Sequence, residues 1–182
     1  MSEPLVLLVD CGDQYFIRVE FKFVEGRFRQ RLDLYRSEQI VERWNDKTDS
    51  VDEDWPDAPP IQQLSLESIN GCPALLGVGQ AGKSHWSISV EPALSQSEPA
   101  LRFDVACRTA IKPVWLGSTY QTTSLRNETH GPSLCLKLDA AFPGSMIRDT
   151  RVSCPLDVKV EAKNGRNSRS QTFRWGYRVC LG

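Results

Sequence analysis

PALLGVGQAGKSHWSISVE, residues 73–91, is the stretch whose reading decides the fold. Within it, Gly77 to Ser84 fits the phosphate-loop pattern G-x-x-x-x-G-K-[ST], in which Gly77, Gly82, Lys83 and Ser84 would be the phosphate-binding residues. That chemistry needs a helix directly after the loop, because amides at a helix N-terminus aim at the phosphate. The residues that follow predict something else. Trp86, Ile88 and Val90 alternate with His85, Ser87, Ser89 and Glu91, and Pro92 comes next. Period two is the mark of a half-buried strand, and a helix would split Ile88 from Trp86 and Val90. The expectation is strand, glycine-rich turn, strand, with the motif match accidental and Lys83 on the solvent side of a hairpin.

The flanking sequence extends this pattern. Leu101 to Arg108 alternates in step with 85–91. Pairing the two about a centre near Ser97 sets Trp86 against Cys107, Ile88 against Val105, Val90 against Phe103, Glu91 against Arg102 and Ser89 against Asp104. Pro92 to Pro99 is read as the connecting loop. Near the start, Leu5 to Asp10 is an apolar run expected to be buried on both faces, with a turn over Asp10 to Asp13. Ile17 to Phe23 and Phe28 to Tyr35 form a hairpin about Glu25-Gly26. Its register places Val19 opposite Leu32, Ile17 opposite Leu34, Glu20 opposite Arg31 and Arg18 opposite Asp33, while Lys22 meets Arg29. Ile40, Val41 and Trp44 have the spacing of one short helix capped by Ser37. Residues 45–60 hold six acidic residues, one lysine and three prolines, and are expected to be a solvated, mobile acidic loop. Trp55 within it either tucks onto the body or waits for a partner.

Further on, Ile61 to Ile69, Ala74 to Val78, the segment entering Tyr120 and Leu134 to Asp139 read as strands. Arg126 to Ser133, with His130, reads as a loop, and Pro143-Gly144 as a turn. At the end, Leu156 to Ala162 and Phe173 to Val179 are expected to form a hairpin over a polar tip at 164–170. This register would pair Asp157 with Arg178, Glu161 with Arg174, Val160 with Trp175 and Val158 with Tyr177. Roughly nine or ten short strands and at most one short helix make residues 1–182 a single all-β domain. It is an antiparallel β-sandwich or a barrel; the pattern does not choose.

Composition bounds the function. The chain has 182 residues, a net charge of −1, 40% apolar residues and five tryptophans. A near-neutral chain gives no electrostatic case for nucleic acid or an anionic membrane. Leu5 to Val9 is too short for a signal-peptide core, and no run approaches a membrane span, so a cytoplasmic location is expected. The six cysteines lack C-x-x-C spacing and are read as free thiols acting as small hydrophobes. A cysteine nucleophile would need His85 or His130 beside it, which linear spacing does not supply. A shared metal is excluded for His85 and Glu91, which lie about 20 Å apart along one strand. No cofactor is expected.

HWSISVE (85–91), DVACR (104–108) and LGSTY (116–120) resemble, in this order, strings of small uncharacterised bacterial proteins. The resemblance covers the middle third of the chain. It implies a free-standing bacterial domain and no site residue.

The functional expectation is a non-catalytic binding or interaction module, with His85, Arg108, Lys159, Arg174 and Arg178 as candidate binding residues for an unidentified ligand or protein partner. Two alternatives remain. One is a nucleotide-binding enzyme using Gly77 to Ser84. The other is an assembly protein, a homo-oligomer included, that pairs its acidic loop with its basic C-terminal hairpin. Residues 38–67 carry nine acidic and two basic side chains, and residues 148–182 carry eight basic and three acidic ones.

Overall fold

The computed structural model describes residues 3–47, 52–95, 98–124, 131–142, 145–150, 156–162 and 171–182, without the side chains of 94–95, 124, 145–150 and 156–162. Among these residues there is no helix. Thirteen strands run in chain order: β1 (Leu5–Gly12), β2 (Tyr15–Val24), β3 (Arg27–Arg36), β4 (Gln39–Asp46), β5 (Ile61–Ile69), β6 (Cys72–Ala81), β7 (Ser84–Ser95), β8 (Glu98–Thr109), β9 (Gly117–Ser124), β10 (Leu134–Leu138), β11 (Ser145–Thr150), β12 (Leu156–Ala162) and β13 (Gln171–Leu181). They form two antiparallel sheets, a seven-stranded one ordered β1-β2-β3-β4-β9-β12-β11 and a six-stranded one ordered β10-β13-β8-β7-β6-β5. Both sheets are open at their edges, so the fold is a sandwich and not a closed barrel.

The alternating residues explain the layers. Ile17, Val19, Phe21, Leu32, Leu34 and Trp44 from one sheet face Trp86, Ile88, Val90, Phe103, Val105, Trp175 and Tyr177 from the other in one buried cluster. Trp86 and Trp175 meet edge to face at 5.8 Å, and Phe103 stacks on Tyr177 at 4.8 Å. Buried polar bonds lie in this layer too, two of them between the sheets. The Gln30 amide donates to the Tyr120 hydroxyl at 2.7 Å, Tyr120 and Tyr177 share a hydrogen bond, and the Trp175 indole donates to Ser118 at 3.2 Å.

Two registers match the sequence reading residue for residue. The β2–β3 ladder sets Ile17 opposite Leu34, Val19 opposite Leu32 and Lys22 opposite Arg29. The β7–β8 ladder sets Trp86 opposite Cys107, Ile88 opposite Val105 and Glu91 opposite Arg102. Left-handed residues make the tight turns: Asp13 and Gln14, Glu25 and Gly26, and Asn70 and Gly71 all have positive φ. This is the turn geometry whose twist suits a two-residue hairpin.

Other expectations are corrected. The segment read as a helix is β4. It is paired to β3 and β9, and Val41 is one extra residue opposite the Leu34–Tyr35 step. That bulge produces the helix-like spacing of Ile40, Val41 and Trp44. β1 is an edge strand buried on one face, with Leu8 59% exposed, and its turn falls at Asp13-Gln14. Pro92 lies inside β7, opposite Leu101. The β6 ladder stops at Val90, so the missing N–H of Pro92 stands beyond that pairing. In the described part of the acidic segment Asp52, Glu53 and Asp54 are exposed, as expected, but residues 55–60 pack onto the body. Trp55 is 6% exposed within the core, and the Asp57 carbonyl accepts from the Thr119 amide at 3.0 Å.

The largest correction concerns the C-terminus. β12 and β13 are not a hairpin. β12 pairs with β9 and β11 in the seven-stranded sheet, and β13 pairs with β8 and β10 in the six-stranded one. The β8 strand offers β13 the same apolar and charged alternation that β12 does. Trp175 lies opposite Val105, Tyr177 lies opposite Phe103, and Arg174 reaches Asp104 at 2.5 Å. His130, Pro143-Gly144, Cys154 and the tip 164–170 lie outside the described residues.

Candidate binding face

The outer faces of the two sheets differ in chemistry. On the seven-stranded sheet, Arg18 and Arg31 hold Glu20, while Arg31 and Arg43 hold Asp33 at 3.1 and 2.6 Å. Asp33 is fully buried under these side chains. This face is a closed ion-pair ladder, built by the charge alternation of β2, β3 and β4.

The six-stranded sheet turns a different surface outward. Across its middle, register aligns Gln63, Val78, Ser87, Ala106 and Arg174 in one row. The next row is Ser65, Leu76, Ser89, Asp104 and Gly176. Serine, alanine and glycine alternate here with the large core residues. The floor is therefore low, and a groove of 690 Å³ opens over Ser65, Val78, Ser87, Ser89 and Ala106. A second hollow of 550 Å³ continues over Val78, Ser87 and Ala106 to Gln80, His85, Arg108 and Thr172. One wall is the Asp104–Arg174 ion pair, backed by Phe142. The Phe142 ring sits against the Cα of Gly176, where any Cβ would strike it, with the Arg174 and Arg102 guanidinium groups at 5.1 and 5.9 Å from its centre. Arg102 is anchored by Asp139 at 2.5 Å and by Glu91 at 3.1 Å.

The candidate residues fall as follows. His85 and Arg108 lie directly opposite each other at one end of the groove, and Arg174 stands at its wall. Arg178 is on the same sheet but outside the groove, 3.8 Å from Glu98. Lys159 is on β12 in the other sheet, because the hairpin that joined it to Arg174 does not form. The serines, Ala106 and Phe142 were missed. Their signal on β7 was available: serines at the two middle outward positions, Ser87 and Ser89.

The phosphate-loop residues belong to packing. Gly77 is inside the β6–β7 ladder, and a Cβ there would come within 2.8 Å of Ile61, Ile88 and Leu64. Gly82 has φ +52 and starts the two-residue turn to β7, with the Asp54 carboxylate lying against its Cα. A carboxylate at that point repels an anion. Ser84 is buried and donates to the Thr109 hydroxyl at 3.0 Å, and Lys83 is on the exposed turn. No helix follows to supply amides.

Nucleophilic and metal readings gain no support from the geometry. Cys107 faces the core, away from His85, and burial pushes its thiol up to about 12, with the Ser84 hydroxyl opposing. Among the described residues no three His, Cys, Asp or Glu side chains converge on a metal position. Near the acidic segment, Arg27 and Arg29 line a polar hollow together with Asp52, Glu53 and Asp54. Comparison with protein-family models, with curated proteins and with solved structures gave no match to this chain.

Proposed function

We propose that the protein is a non-catalytic binding module whose ligand lies across the outer face of the six-stranded sheet. The observation that carries this reading is the run of small side chains at Ser65, Ser87, Ser89 and Ala106, which leaves a long groove, hydroxyl-bearing with Leu76 and Val78 on its floor, where the opposite sheet is filled by ion pairs. The hydroxyl and amide groups suit an extended polar ligand. Arg174 at one wall is already paired with Asp104, so it is His85 with Arg108 at the far end that favour a ligand bearing an anionic group there. The test is binding of a panel of neutral and acidic oligosaccharides and acidic peptides to the parent protein and to Ala106→Trp. This substitution fills the groove from a half-buried outward position and spares the core. A ligand bound by the parent and lost at least tenfold in Ala106→Trp supports the reading. Equal affinity in both proteins contradicts it.

The exposed edge favours a second reading, self-association. β5 ends its sheet and carries neither lysine nor proline, and Leu66 and Ile69 are 48% and 41% exposed. Such an edge is a template for pairing with another β5. Light scattering would show a dimer reduced to monomer by Leu66→Lys. A parent monomeric at all concentrations contradicts this reading.

A further inference from the structure

Two cysteines that the sequence separates widely are brought face to face by the topology. β10 is a five-residue edge strand, and its register against β13 sets Cys135 directly opposite Cys180. The Ser133–Gly182 pair exchanges both backbone hydrogen bonds, so Cys135–Cys180, two steps along, is again a narrow hydrogen-bonded pair. Pairs of this kind have Cα atoms about 5.5 Å apart, inside the span a disulfide bridges. The side chains already point together: the two Sγ atoms are 3.1 Å apart. Their exposures differ. Cys180 is fully buried, whereas Cys135 is half-buried on the edge strand.

We propose that Cys135 and Cys180 are a reversible thiol–disulfide pair that clamps the edge strand β10 to β13. The co-reactant is a low-molecular-weight disulfide. The Cys135 thiolate attacks one of its sulfurs, the S–S bond breaks, and one small thiolate leaves and takes a proton. Cys180 then gives up its proton and attacks the Cys135 sulfur, forming the protein disulfide and expelling the second small thiol. Two cysteine thiols lose two electrons in total, and one small disulfide becomes two small thiols. The order follows from access. Burial holds the Cys180 thiol up at about 12, and its neighbour Cys135 adds to that shift. Capping Cys135 as a mixed disulfide removes the neighbour's contribution and leaves its sulfur beside Cys180, the thiol placed to resolve it. Among the described residues β10 is otherwise held by its ladder, by the Leu134 amide donating to Glu42 at 2.8 Å and by the Lys137–Glu98 ion pair.

The experiment uses the full chain with Cys72→Ser, which removes an exposed thiol on another strand. The protein is incubated with oxidised glutathione and then thiol-labelled after denaturation, with peptide mapping under non-reducing conditions. The expected product has lost two hydrogens and two labelling sites, carries a Cys135–Cys180 peptide link and melts several degrees higher than the reduced protein. Dithiothreitol restores both sites. Cys180→Ala, which keeps Cys135, should stop at the glutathione adduct on Cys135. An adduct that persists on Cys135 in the protein retaining Cys180, or linkage to any other cysteine, overturns the proposal.

Discussion

Asp46 is the residue with the clearest titration consequence. It closes β4 opposite Tyr120, and burial pushes its carboxyl up to about 6 against the opposing pull of the Gln30 amide and of Arg29 and Arg27. The folded chain therefore keeps a proton that the unfolded chain releases. The associated stability is fully present below the usual carboxylate value and is lost as pH rises through about 6. Asp46→Asn should match the parent near pH 4 and exceed it in melting temperature near pH 7, as calorimetry at the two pH values would show. Glycines give a second residue-level prediction. Gly79 has the Pro60 carbonyl against its Cα, so Gly79→Ala should cost about 1–3 kcal/mol in urea unfolding. The sequence presented Gly79 as one more glycine of a phosphate loop. Its packing role was illegible because Pro60 is brought to it only by the bulge at the start of β5.

Strand pairs show what alternation can and cannot decide. The β2–β3 and β7–β8 registers were legible because, between strands adjacent in the chain, apolar and charged matches agree on one alignment. β13 had several acceptable partners. Its arginines meet Asp104 and Glu98, where the sequence also offered Asp157 and Glu161. A double-mutant cycle on Asp104 and Arg174 should give a coupling of about 0.2–1 kcal/mol, the range of exposed pairs. The same cycle on Glu161 and Arg174 should give none. β4 was misread for a local reason: one bulged residue, Val41, turns a period of two into a helical spacing.

At the scale of the whole molecule, the two sheets are joined by more than apolar contact. Gln30 and Tyr120 belong to one sheet and Tyr177 to the other; Gln30 donates to Tyr120, and the Tyr120–Tyr177 hydrogen bond crosses the centre of the core. Tyr120→Phe would leave the buried Tyr177 hydroxyl and the Gln30 amide short of a partner and should cost about 1–3 kcal/mol. The all-β class was legible from period-two patterning. The sandwich, and with it the contrast between an ion-paired outer face and a grooved one, was not, because it depends on which strands share a sheet. His85, Arg108 and Arg174 were named among the candidate binding residues, but the groove beside them consists of what is missing from Ser87, Ser89 and Ala106. The most direct test of this account is a backbone-amide chemical-shift map on titrating the isotope-labelled protein with an acidic oligosaccharide. The account predicts shifts concentrated at Val78, Ser87, Ala106 and Arg174 that disappear in Ala106→Trp. Shifts concentrated at Gly82, Lys83 and Ser84, or on the ion-paired face around Asp33, would contradict it.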